Sequence, residues 1–141
     1  MDSLTTYKIS LYDKGQTIGD KLKYHRLNSS LTQEKLAKII GLSNGVSIKS
    51  IELNQKFIGR KLSQKLADYF NIGTKYFYDD YLEETDRSST MLYEYRIKNN
   101  LSIAQACKKL NISETAWRSW ENSKSYMSRE SHLNLKNKGV F

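Results

Sequence analysis

The feature that most constrains this chain is a repeat within it. Leu31 through Ser43 (LTQEKLAKIIGLS) aligns without a gap to Leu101 through Ser113 (LSIAQACKKLNIS). Each copy has an apolar residue, then a hydroxyl suited to capping (Thr32, Ser102), then a helical stripe containing a small side chain (Ala37, Cys107). A turn residue follows that tolerates positive φ, Gly41 in one copy and Asn111 in the other. Leu42 and Ile112 plug the gap under the turn, and a serine opens a second helix that closes on Ile51-Glu52 or Trp120-Glu121. Two short helices that cross closely need the small residue where they touch. Ile48 with Ile51, and Trp117 with Trp120, lie three apart and anchor the second helix by one face, leaving its other face outside. Such a pair is a helix-turn-helix, and it occurs twice in series.

Around the repeat almost everything after residue 15 has helical periodicity. A stretch from Thr17 to Asn28 precedes the first copy. Leu62, Leu66, Tyr69 and Phe70 form a fourth helix, ended by Asn71-Ile72-Gly73, and Thr74 opens a short fifth carrying Tyr76, Phe77 and Tyr81. Of these aromatics Phe77 is assigned to the core. The polar run from Glu83 to Ser89 reads as a linker. Beyond it Leu92, Tyr95 and Ile97 begin a helix to about Asn99, and only one helix's worth of chain follows Trp120. The expected fold is all-α, with two helix-turn-helix domains in tandem. These are an N-terminal arm or short strand over 1–14, a five-helix domain over 15–84, a linker over 85–90 and a shortened domain over 91–141.

Composition narrows the function. The 141 residues carry 23 Lys plus Arg against 15 Asp plus Glu, a formal charge of +8. Residues 1–85 hold 13 basic and 10 acidic side chains, and 86–141 hold 10 and 5, so the second part is the more basic. Such a balance suits a phosphate-bearing partner. No run of about 18 apolar residues marks a membrane span, and the N-terminus lacks the pattern of a secretory signal. One cysteine, Cys107, fits a reducing cytosol, and with only His25 and His132 beside it a zinc-finger site is not expected. Asp79, Asp80, Glu83 and Glu84 lack the glycine-bearing loop of a calcium site. No phosphate-binding loop or catalytic grouping is spaced for chemistry. The expectation is no enzyme, no metal, no cofactor and no membrane, with a cytoplasmic, nucleoid-associated location.

At these residues the chain resembles the Cro/cI-type (xenobiotic-response-element type) helix-turn-helix regulators of phages and bacteria. Leu31-Thr32-Gln33-Glu34-Lys35-Leu36-Ala37 resembles the family's "LTQ-x-x-LA" opening; Ile48, Ile51 and Glu52 resemble its "I-x-x-I-E" stretch, and Leu66 to Ile72 its fourth helix and exit. The resemblance covers about 15–84, and more loosely 90–136. It implies a lambda-repressor-like first domain and a sequence-specific double-stranded DNA-binding regulator, a repressor that occludes polymerase at its operator. Each recognition helix would enter a major groove, with successive grooves about 34 Å apart, and a homodimer would extend the site to a palindrome.

Carried over by position, the resemblance implies DNA contacts at Gln33 (phosphate), Asn44, Gly45, Val46, Lys49 and Ser50 (bases), and Asn54, Gln55 and Lys56 (backbone). In the second unit the corresponding set is Glu114, Thr115, Arg118, Ser119 and Lys124. Two departures matter. Counting from Gly41 to Glu52, the first unit holds one residue more than the family spacing, which leaves the leading position of its recognition helix open by one. In the second unit Ile103 stands where the family has its phosphate-binding Gln, and Glu114 leads the helix. These departures motivate an alternative in which the scaffold, and the second domain above all, binds a protein partner, an antagonist of a regulator or of a nuclease complex, with or without autoregulatory DNA binding.

Overall fold

The computed structural model describes residues 17–141, so the arm or strand expected over 1–14 lies outside the described residues. Those residues form helices and no strands, an all-α chain. It divides into two compact units, one ending at Asp79 and one running from Asp80 to Phe141.

In the first unit α1 spans Ile18–Asn28, α2 Gln33–Ile39, α3 Val46–Glu52 and α4 Arg60–Tyr69. Thr17 and Asp20 form a capping box for α1, and the Thr32 hydroxyl accepts from the Lys35 amide to open α2. Gly41 leaves α2 at φ +84°, a conformation in which a Cβ would be strained. α3 packs on both α1 and α2. The core contains Leu22, Leu36, Ala37, Ile48, Ile51, Ile58, Leu66 and Phe77, all buried.

The second unit contains α5 (Asp80–Asp86), α6 (Ser88–Lys98), α7 (Ile103–Leu110), α8 (Glu114–Glu121) and α9 (Arg129–Asn137). Ser102 with Gln105 forms the capping box of α7, Asn111 takes the left-handed conformation at φ 57°, and Ser113 caps α8. Leu92, Ala106, Cys107, Leu110, Trp117, Trp120, Met127 and Leu135 make the core. Both tryptophans are therefore anchors rather than a stacking surface.

Each unit is tied by an ion pair, buried in the first and half-buried in the second, that links the helix before the repeat to the end of the repeat's second helix. Arg26 on α1 donates from Nε to Glu52 Oε2 at 2.6 Å and from Nη2 to Oε1 at 2.8 Å, while its Nη1 donates to the Leu31 carbonyl at 2.9 Å. Arg96 on α6 makes the same three bonds to the Glu121 carboxylate and the Leu101 carbonyl. One planar guanidinium thus fastens the helix before the repeat, the strand of chain that opens it and the helix that closes it.

The element boundaries depart from the sequence reading in one region. The run expected as a linker over 85–90 is helical, in α5 and α6. Its composition is polar, but Leu82, Thr85 and Ser88 are buried, and Glu84 is paired to His132 and Lys136. The helix expected from Thr74 is instead a series of turns that ends with Phe77 and Tyr78 buried. Tyr81 belongs to α5. The boundary is therefore at Asp79, not 84. The described part of the first unit has four helices, and the second unit gains at its front the helix that appeared to be missing at its end.

Candidate nucleic-acid interface

The outer faces of α3 and α8 are where the predicted contacts fall. Both helices are held by the same burial order. Residues 31–51, with Gly45 set aside, follow the same sequence of buried, half-buried and exposed positions as residues 101–120. The extra residue of the first unit is thereby located at Gly45. The repeat shift is 70 up to Ser43 and Ser113 and 69 beyond Gly45, so Val46 corresponds to Thr115, Lys49 to Arg118 and Ser50 to Ser119. A cation thus stands at the same outward position of both helices.

Gly45 itself is buried, which removes it from the predicted contact set. A Cβ there would lie 2.9 Å from the Glu34 amide nitrogen and 3.0 Å from the Gln33 carbonyl carbon, both backbone atoms of α2. Its amide donates to Glu34 Oε2 at 2.8 Å, and Asn44 Oδ1 accepts from the Val46 amide at 2.9 Å, so the insertion is built into the helix start. In the second unit Ala104 stands at the position of Glu34, and there is no inserted residue to hold.

The remaining predicted residues of the first unit lie as follows. Val46 is 67% exposed and Lys49 is exposed on the outer face, with Ser50 half-buried between them. Asn54 leaves α3 at φ 58°, and Asn54, Gln55 and Lys56 form an exposed loop whose Lys56 Nζ lies 3.2 Å from Ser47 Oγ. Lys56 thus reaches the first turn of α3 at Ser47. Gln33 is turned differently from expectation. Its Nε2 donates to Glu52 Oε1 at 3.1 Å, so the amide serves the buried ion pair.

In the second unit Glu114 and Arg118 are paired at 3.7 Å across one turn, with both side chains more than half exposed. Thr115 and Lys124 are exposed, and Ser119 Oγ bonds Ser125 Oγ at 2.6 Å. The position of Gln33 is taken by Ile103, and the third donor to the carboxylate is instead the Trp117 indole, 2.6 Å from Glu121 Oε2. The Arg96 bond holds the Glu121 carboxyl below the ordinary carboxylate range, against its burial and with help from Trp117. Burial pushes the Cys107 thiol up, the reverse of what a reactive thiolate needs.

Arg26 and Arg96 are the residues that sequence reasoning missed. Their signal was available: each precedes the repeat's opening leucine by five residues in both copies. Among the described residues no group of three or more His, Cys, Asp or Glu could hold a metal ion, and no helix is long and apolar enough to cross a membrane. No family model matches the chain, and no curated protein or solved structure matches it.

Proposed function

We propose that this chain is a sequence-specific double-stranded DNA-binding transcriptional regulator of the Cro/cI helix-turn-helix type, with a recognition helix in each unit. The observation that carries the reading is the doubled construction of α2–α3 and α7–α8. In each, a short helix is anchored by two buried residues while a cation, Lys49 or Arg118, projects from the opposite side. A helix supported in this way fits the major groove, with its first turn at base edges and its flanking loop at phosphates. Lys49 supplies a donor for base or phosphate, Val46 a methyl surface for thymine, and Lys56 a backbone charge. Regulation would follow from occluding the operator.

The test is a selection of bound fragments from random duplex DNA with the full chain, followed by mobility shifts on the recovered sequence. Lys49→Glu is expected to weaken binding by about 1–3 kcal/mol. Superimposable binding curves for the variant and the parent at moderate salt would refute the assignment.

One observation favours a second reading for the second unit. Arg118 is paired to Glu114 on the face that would meet DNA, and Ile103 offers no amide to a phosphate. A surface with a leading carboxylate suits a protein partner. It predicts that Arg118→Ala leaves the selected sequence and its footprint unchanged.

A further inference from the structure

The ends of three helices of the second unit meet around a pocket of about 540 Å³. Tyr95, Lys98 and Asn99 line it from the end of α6, Lys109 and Leu110 from the end of α7, and Lys138 from just past α9. Three lysines and no carboxylate therefore face one space. None of the lining comes from α8, whose outer side carries Arg118. Lys98 and Lys109 are exposed, and neither has an ion-pair partner among the described residues. The three helix C-termini draw cations, each with about half a negative charge. That offsets only about half of the three lysine charges. Two carbonyls that would repel an anion are already bonded: Tyr95 accepts from Asn99 Nδ2 at 2.8 Å, and Leu110 from Lys138 Nζ at 2.7 Å.

The scaffold does not call for Lys98 and Lys109. At the repeat shift of 70, Asn28 stands at the place of Lys98 and Ile39 at that of Lys109, and α1 and α2 end there with neither charge. Lysines gathered with no carboxylate to relieve their repulsion suit an anion that brings several charges at once. At physiological salt a single charge is screened over about 8 Å, whereas a phosphate chain meets several lysines within one pocket. We propose that this pocket binds a small multivalent phosphate, the chemistry shared by a nucleoside triphosphate and an inorganic polyphosphate. Lys138 connects the pocket to α8. It bonds the last carbonyl of α7, one residue before Asn111 turns the chain at φ 57° toward that helix. A phosphate that engages Lys138 therefore acts on the bond that closes α7 at the turn.

The test titrates the full chain with sodium triphosphate at about 0.15 M salt and follows the backbone amide resonances. Saturable shifts centred on 98–99, 109–111 and 138–139 are expected. Lys98→Gln combined with Lys109→Gln should weaken binding by about tenfold or more and leave the urea midpoint in place. Lys61→Gln with Lys65→Gln removes the same charge from exposed positions on α4 and should leave binding as it was. Shifts that do not saturate, shifts spread over the lysines of both units, or equal weakening by the two pairs would overturn the proposal. ATP in place of triphosphate identifies the source: tighter binding assigns the pocket to a nucleotide and equal binding to the phosphate chain alone, and either supports the site. If triphosphate fails to bind while the Lys98 and Lys109 changes lower affinity for duplex DNA, the pocket belongs to the DNA backbone and the proposal falls. The triphosphate titration is made without DNA, so its failure leaves the mobility shifts above untouched.

Discussion

The two units satisfy the carboxylate that closes the repeat, buried at Glu52 and half-buried at Glu121, by different routes. Glu52 takes two bonds from Arg26 and a third from the Gln33 amide, which comes from α2. Glu121 takes two from Arg96 and a third from the Trp117 indole, one turn before it on α8. Where the amide of Gln33 is replaced by Ile103, the aliphatic Ile48 is replaced by Trp117. A buried carboxylate with an unmet lone pair is costly, so the third donor has moved rather than vanished. The comparison separates what the architecture needs, a fully bonded glutamate at the end of α3 or α8, from what the outer surface is free to vary. It also explains why the position opening α2 and α7 can differ so sharply between copies.

The largest expected effect breaks that shared feature. Glu52→Ala leaves the Arg26 guanidinium, 9% exposed, without its partner, and should cost about 3–5 kcal/mol. Urea unfolding followed by hydrogen exchange should show α1–α4 opening first, with α6–α9 unaffected. Glu121→Ala should do the converse with a smaller loss, because Arg96 is more exposed, at 14%. Equal destabilisation of both units by either change would end the idea that each pair serves its own unit.

The next effect tests a difference in how closely the helices approach. A Cβ on Gly19 would meet the Ile51 carbonyl oxygen at 2.4 Å and that of Glu52 at 2.8 Å. Gly19→Ala is therefore expected to cost about 1–3 kcal/mol by overpacking, read as a lower urea midpoint. The second unit has Ser89 at the same place, and its hydroxyl donates to the Glu121 carbonyl. Ser89→Ala should lose about 1 kcal/mol there, the worth of one hydrogen bond. A stable Gly19→Ala chain would mean that α1 and α3 can separate as α6 and α8 do.

Much of this was legible in the sequence because it is local. Thr32, Ser102 and Ser113 announce helix starts by their side chains, and Gly41 and Asn111 announce turns by their backbone freedom. Ala37 and Cys107 lie at the small sites that the crossing requires. The rest is long-range. Arg26 and Glu52 are 26 residues apart, and a cation in an amphipathic helix reads as solvated until its partner is in view. The run from Glu83 to Ser89 reads as linker because its few buried side chains are a threonine and a serine among acids. Its helices are fixed by the contacts of Leu82 and Glu84 with the unit that follows. Gln33 was assigned outward from its position alone, whereas its direction is set by the lone pairs of a glutamate 19 residues away.

Acid should separate the units further. The Glu121 carboxyl is held low by Arg96. Glu84 is held low as well: burial would raise it, and Lys136 and His132 more than reverse that. A carboxyl with a depressed folded-state pKa adds stability that is present above the ordinary glutamate range and is lost as pH falls through the folded value. The second unit is therefore expected to lose stability as pH falls from the ordinary glutamate range through the lower folded-state values. Glu84→Gln should flatten this slope in a series of urea midpoints against pH. A slope unaltered by Glu84→Gln and Glu121→Gln together would remove both carboxyls from the account.

The smallest effect falls on Gln33, and it asks which of two roles that amide has. Gln33→Ile gives the first unit the residue found at the same place in the second, but without the tryptophan that compensates there. Glu52 would keep its two arginine bonds and lose the third, at a cost of about 1 kcal/mol. Ile103→Gln in the second unit should change stability very little, since Glu121 already holds three donors. If the amide serves only the buried pair, Gln33→Ile lowers the urea midpoint and leaves the affinity for DNA as it was. If it leaves Glu52 for a phosphate when DNA arrives, the midpoint of the free protein falls by the same amount and DNA binding also weakens at every salt concentration, with the salt slope unchanged because a neutral amide releases no counterion. The pair of measurements therefore assigns the residue, and a variant that alters neither would show that the third donor in the first unit is dispensable where the second unit has kept one.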